Sequence, residues 1–317
     1  MNSAPANSIA PSRHGYVVIS PVRNEAKHFQ RTINSMLAQS DPPREWIIVD
    51  DGSTDGTREM AETAARACSW VRVVQRADRG FRKAGAGVVE AFYEGYQQLR
   101  CHDWNFVVKL DGDLEFEPHY FGEVTAQFAA NPRLGITGGD IFHLENGTRV
   151  IESKGDPAFH VRGANKAYRH ECWTEIGGLF SVTGWDTLDE VKANMLGWTT
   201  RRIPSLGMLH LKPTGAADGT WKDAFKNGRG SYIAGYHPLF LLARAARRLF
   251  KAPLFVTSAG LCAGYFTGAL LRIDRVPDRP LIEYLQRQQL NKLLSRPSLW
   301  SEKDETLRYP AVAVGER

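Results

Sequence analysis

Two apolar runs in this chain end abruptly in clustered carboxylates: Trp46-Ile-Ile-Val-Asp50-Asp51-Gly52-Ser53-Thr54-Asp55, and Phe106-Val-Val-Lys-Leu110-Asp111-Gly112-Asp113. Runs of that length, rich in β-branched residues, read as buried strands, and a buried strand must surface where unpaired acids begin. Similar runs lie at Tyr16–Ser20 and Val71–Gln75, and helical spacing fills the gaps, with Phe29, Ile33, Met36 and Leu37 in the first and Val88, Phe92, Tyr96 and Leu99 in the third. A helix from about Thr57 to Cys68, capped by Asp55, fits between the second and third strands. Strands alternating with helices imply an α/β fold: a mixed, mainly parallel sheet with helices on both faces. Ligands of such sheets bind beyond the carboxyl ends of the strands, so both acidic ends face one ligand edge.

Composition excludes several other classes. With 317 residues, 43% of them hydrophobic and 24% charged, the chain can bury a full core. The cysteines at 68, 101, 172 and 262 have no metal-ligand spacing, so free thiols in a reducing compartment are expected. Residues 1–14 are rich in Ser, Ala, Asn and Pro without an apolar stretch, which predicts a loose tail and not a signal peptide. A net charge of +5 is too mild to argue for nucleic acid.

The strand ends carry the chemistry. The first strand runs into Pro21-Val-Arg23-Asn-Glu25, where an arginine beside a helix amino end favours phosphate. Asp51 is placed to accept a hydrogen bond from a nucleoside, although Asp-Gly-Ser-Thr-Asp-Gly is also good turn sequence. Asp111 and Asp113 flank a glycine that lets backbone approach a ligand, and two such carboxylates repel unless a cation or proton lies between them. Mg2+ or Mn2+ bridging to a diphosphate meets that need, and a solvated acidic turn is the plainer alternative. Lys83, just before a helix, adds charge on the phosphate side or is simply solvated.

The order Pro-Val-Arg-Asn-Glu, Ile-Val-Asp-Asp-Gly-Ser-Thr-Asp, Arg-Lys-Ala-Gly-Ala and Lys-Leu-Asp-Gly-Asp resembles the nucleotide-sugar half of glycosyltransferase family 2, which has the GT-A fold. The resemblance runs from about Tyr16 to Pro213. It implies that Pro21, Arg23, Glu25 and Asp51 line a nucleoside site, that Lys83 lies near the diphosphate, and that Asp113 holds the metal, with Asp111 beside it. The donor it implies is a nucleoside-diphosphate sugar, a UDP-sugar first among them, and the acceptor a glycan or a lipid-linked sugar. A dehydrogenase is disfavoured, because the Gly85-Ala-Gly87 start would need Gly or Ala where Glu90 stands, and it follows the third strand instead of the first.

Sugar transfer also requires a base for the acceptor hydroxyl. The family carries Glu-Asp ahead of a helix that ends in Gly-aromatic. Measured back from Gly197-Trp198, the base falls on Asp186, with Trp185 in place of the usual Glu and with Asp189 and Glu190 in reserve. Asp186 and Asp189 are equally ordinary helix-start residues. Gly177-Gly178 is flexible enough for a lid or only a turn. The resemblance lets His210 approach the metal or pyrophosphate, against the plainer role of a core histidine. Lys212 and Arg229 are placed either to contact phosphate or to sit exposed. Inversion at the anomeric carbon is what the family implies.

The last third changes character. Residues 237–251 mix apolar and basic side chains at helical spacing, which fits an interfacial helix. Residues 252–271 carry no charge and bear a ridge of Gly260, Gly264 and Gly268, which predicts a membrane span or a buried helical hairpin. The expected organisation is a tail at 1–14, a GT-A-like domain at 15–235 split into a donor half (15–139) and an acceptor half (140–235), and a helical extension at 236–317 with peripheral membrane contact through 237–275. Such a protein would work in the cytoplasm, at the inner face of the cytoplasmic membrane. Two other classes fit the same sheet edge: a non-catalytic nucleotide-sugar-binding scaffold, and a nucleotidyltransferase, which the glycine-free turn after strand one disfavours.

Overall fold

A computed structural model of the chain describes residues 15–78, 80, 85–212, 219–250 and 253–301. The strands are β1 (Tyr16–Val22), β2 (Glu45–Asp50), β3 (Val71–Gln75), β4 (Phe106–Leu110), β5 (Leu114–Glu115), β6 (Leu134–Glu145), β7 (Thr148–Ile151), β8 (Asn165–Arg169) and β9 (Thr199–His210). They form one sheet in the order β3-β2-β1-β4-β8-β6-β9-β5, with β7 added to β6. The β3-β2-β1-β4 half is parallel, as the alternation predicts, and β8 joins β4 antiparallel. β1 separates the two acid-tipped strands β2 and β4, so both acidic ends open on one edge.

Helices cover both faces because the strand residues alternate between two cores. Tyr16, Val18, Trp46 and Ile48 pack with α1 (Ala26–Leu37), α2 (Thr57–Ala67) and α4 (Tyr120–Ala130). Val17, Ile19, Ile47 and Val49 pack on the other face with α3 (Ala86–Gln97), α5 (His170–Ile176) and α6 (Trp185–Met195). The fully buried Trp46 keeps its indole N–H satisfied by donating to Ser20 Oγ at 2.9 Å.

A third core joins α6 to α7 (Thr220–Ile233), α8 (Pro238–Ala246), α9 (Val256–Leu270) and α10 (Arg279–Leu293). One cluster therefore crosses the boundary expected near residue 235. The glycine ridge of α9 is spent inside it. A Cβ on Gly264 would stand 2.0 Å from the Phe225 carbonyl oxygen, and one on Gly228 would stand 2.0 Å from that of Leu261, so α7 and α9 touch backbone to backbone. At 15 residues α9 is roughly 22 Å long, short of a hydrocarbon core of about 30 Å. Among the described residues no helix is long and apolar enough to cross a membrane. Of the two outcomes expected for 252–271, the packed hairpin is the one found over the described part.

Candidate active site

The first acidic end divides its carboxylates between loop and ligand edge. Asp50 accepts from the Ser53 amide at 3.0 Å and faces Arg58 at 3.6 Å. Asp55 accepts from the Thr57 amide and hydroxyl and from the Ala26 amide, which ties the starts of α1 and α2 together. These bonds hold its carboxyl below the usual range although burial opposes them. Asp51 is paired instead with Arg76, 2.6 Å away. Arg23 donates to the Asp51 carbonyl and bridges to Asp78 at 2.7 Å. Gly52 sits at φ +77°, with Asp78 filling the space a Cβ would need, so the loop demands glycine there. Pro21 lies opposite Val49, one residue before the end of β1.

The second acidic end folds back on itself. Gly112 passes so close to β1 that a Cβ would stand 2.7 Å from Val22 Cγ1. The turn then becomes β5, which pairs antiparallel with the end of β9 and sets Leu114 opposite His210. His210 thereby faces Asp113 through Nε2 at 3.5 Å and Glu152 through Nδ1 at 3.0 Å. Burial would lower the imidazole, but the hydrogen bonds and charges of Asp113 and Glu152 outweigh it and push it up to about 10. Asp111 pairs with the buried Lys109. Glu25 meets Lys212 at 3.3 Å, and its carboxyl is raised by burial first and by Asp113 next, with Lys212 opposing.

These donors fit a hard cation that shares its shell with phosphate. Asp113 Oδ1 is buried and has no hydrogen-bond partner, and an orphaned carboxylate oxygen is a ready ligand. Among the described residues no group of three or more His, Cys, Asp or Glu is arranged to hold a metal ion alone. Mg2+ and Mn2+ take one or two carboxylates and complete their shell with diphosphate oxygens and water.

The start of α6 carries the third carboxylate group. Asp189 and Glu190 are fully buried. Lys166 on β8 reaches Asp189 at 3.0 Å and Glu190 at 2.8 Å. Tyr168 donates to Asp189 at 2.6 Å, while the Val161 amide and His160 bond Glu190 at 2.7 and 2.9 Å. Burial pushes Asp189 up to about 6 against the pull of Lys166. Asp186 differs: it lies in the first turn, half-buried, and its carbonyl accepts from Lys166. The N-cap is Gly184, at φ +87°. Trp185 is buried, with the ammoniums of Lys109 and Lys166, cross-strand partners on β4 and β8, each 5.6 Å from its ring.

The expected residues Pro21, Arg23, Glu25, Asp51, Asp111, Asp113 and His210 thus share one edge. Asp186 borders it across residues 163–164: Gly163 abuts Asp186 Cβ, and the Asp111 amide donates to the Ala164 carbonyl at 2.8 Å. Lys83 lies outside the described residues. Gly177 is the left-handed C-cap of α5, and Gly178 leaves room for only a hydrogen in front of the Tyr93 hydroxyl, so both glycines serve the turn after α5. Glu152, Lys166 and Lys109 escaped sequence reasoning. The first two act through contacts distant in the chain, whereas Lys109, a cation in a strand otherwise wholly apolar, was a visible signal.

The family model described as Glycosyl transferase family 2 matches residues 17–178. An uncharacterized glycosyltransferase of Nostoc is 30% identical over 114 residues, 36% of this chain and 32% of the relative. A poly-beta-1,6-N-acetyl-D-glucosamine synthase of Staphylococcus epidermidis is 31% identical over 118 residues, 37% of this chain and 26% of the relative. The chain therefore spans about a third or less of these curated relatives. Among solved structures, a Pyrobaculum calidifontis mannosyltransferase in complex with GDP-Man and Mn2+ superposes with TM-score 0.50 at 17% identity, covering 91% of this chain and 88% of that one. S. aureus TarS 1–349 gives TM-score 0.50 at 16% identity, with 89% and 86% covered. At such identities the likeness is one of fold, and the fold is GT-A.

Proposed function

The chain belongs to glycosyl transferase family 2, and on that premise we propose that it moves a sugar from a nucleoside-diphosphate sugar to an acceptor hydroxyl in a single inverting displacement. The observation that carries this reading is the contrast at the start of α6: Asp186 is half-buried at the site edge, while Asp189 and Glu190 are sealed beneath it by Lys166. A base must reach the proton it removes, so Asp186 takes the acceptor proton and the other two hold its helix. Asp51 and Arg23 receive the nucleoside, and Glu25, Lys212 and Lys83 flank the phosphates. Asp113 and His210 would hold a divalent cation, which when bound supplies positive charge to the departing diphosphate. Because a cation and a proton compete for His210, metal binding should release a proton.

The acceptor we favour is a growing cell-surface glycan or a lipid-linked sugar, met at the inner face of the cytoplasmic membrane. A poly-N-acetylglucosamine synthase similar in sequence supports a glycan product, and TarS, similar in fold and solved with UDP-GlcNAc, supports a nucleotide-sugar donor. The test is a panel of nucleotide sugars with Mn2+ or Mg2+. Metal-dependent hydrolysis or transfer of one donor is expected, and none from any donor would remove the enzyme reading in favour of a nucleotide-sugar-binding scaffold. In calorimetry Asp113→Asn should abolish metal-dependent nucleotide binding, and unaltered binding would sink the metal assignment.

A further inference from the structure

We propose that the corner between α8 and α9 is a docking surface for an anionic lipid leaflet. From Ala224 to Ile273 the sequence has seven Lys and Arg and no carboxylate. Within that stretch α9 lays its glycine side on α7, so the opposite side is left uncovered. Ala259, Phe266 and Leu270, at helical spacing, are all exposed along it. At the corner itself Phe250 is 82% exposed, Leu254 57% and Phe255 55%, and at the far end of α9 Leu270 is 83% and Leu271 65%.

Contiguous apolar exposure of this kind marks an interaction surface. The backbone supports the same view. Phe255 adopts φ +63°, a left-handed conformation unfavourable for a bulky residue, and there its ring meets that of Phe250 edge-on, 6.4 Å apart, outside the core. The exposed Arg247 is the C-cap of α8, three residues before Phe250, and the exposed Arg272 follows α9. Apolar wedges with basic neighbours match an anionic headgroup layer over hydrocarbon, the nearest acids being Asp223 and Asp156 toward Arg248 and Asp274 after Arg272. Charge complementarity argues against a second copy of this chain, because a like basic face would repel it.

The corner also communicates with the site. Arg244 on α8 lies over the Tyr236 ring at 5.4 Å, and Tyr236 hydrogen-bonds Thr187, next to Asp186. A leaflet against α8 would thus hold a lipid-linked acceptor near α6. Only that purpose rests on the transferase reading; the binding does not.

The experiment is flotation of the full chain with vesicles, without any sugar donor. Phosphatidylglycerol-containing vesicles should carry the protein up at low salt and release it as salt rises, and pure phosphatidylcholine vesicles should carry little. Phe250→Ser with Leu254→Ser should abolish flotation, and Arg247→Ser with Arg272→Ser should weaken partition roughly tenfold or more. Circular dichroism of these surface variants should match that of the parent. No binding to either vesicle overturns the proposal. So does a wild-type dimer in sedimentation that Phe250→Ser converts to monomer, since the occupant is then a second copy. Flotation without donor turnover would keep this inference and remove the transferase reading.

Discussion

Two carboxylate triplets, Asp50/Asp51/Asp55 at the end of β2 and Asp186/Asp189/Glu190 at the start of α6, use the same residues by opposite means. In the first, the two structural acids are held chiefly by amides and a hydroxyl two or three residues away, with the Ala26 amide added on Asp55, while Asp50 Oδ2 is buried without a hydrogen bond and faces Arg58 at 3.6 Å. In the second, they are satisfied by a lysine, a tyrosine and a histidine from other segments, out of water. Each arrangement leaves one carboxylate, Asp51 or Asp186, at the ligand edge. Local amides cost little to arrange and yield little when lost, whereas a buried ion cluster fixes a helix firmly and fails badly if one member is removed.

The sharpest test of that difference is kinetic. Asp186→Asn should lower transfer by about a hundredfold to ten-thousandfold while donor affinity stays near the parent value. Retained turnover would break the division between the exposed acid and the sealed pair.

Next in size is Lys166→Met, which strands two buried carboxylates and should cost about 3–5 kcal/mol in urea unfolding. A loss below about 1 kcal/mol would mean that the cluster is not what holds α6.

Between the triplets stands His210, raised from 6.5 to about 10 in the metal-free protein. A raised histidine contributes stability that is fully present below pH 6.5 and is lost as pH rises through about 10. Unfolding of metal-free protein from pH 7 to 9 should therefore show stability falling by roughly 1 kcal/mol per unit, and His210→Gln should flatten the slope. An unchanged slope would place the titration elsewhere.

The smallest effect expected is Asp55→Ala, about 1 kcal/mol by thermal melting, as for lost side-chain hydrogen bonds to backbone amides. A cost matching that of Lys166→Met would erase the contrast altogether.

These same contacts set what was legible in the sequence. The parallel half of the fold could be read because each strand and helix announces itself by its own periodicity, and the strand ends by local turn chemistry. Asp51 and Asp186 stand out from their neighbours in sequence, whereas the cap expected of Asp55 falls one residue later, on Gly56, and Asp55 accepts from the Thr57 amide and hydroxyl from just outside α2. What Asp189 and Glu190 do depends on Lys166, twenty-three residues from Asp189, and what orients His210 depends on Glu152. No spacing rule links such partners. The fate of 252–271 was ambiguous for another reason: a glycine ridge serves helix contact equally in lipid and in protein, and only the presence of α7 decides between them.

The pairing of Leu114 with His210 also bears on how the protein comes into being. Asp113 is synthesised early, but its imidazole neighbour arrives only with the last residue of β9, ninety-seven residues later. Closing so long a loop is slow relative to forming the local strand-helix units that precede it. A nascent or truncated chain that ends before β9 would lack the full cation site. On the proposed reading, donor use would wait on β9, because a chain without it holds Asp113 but not His210.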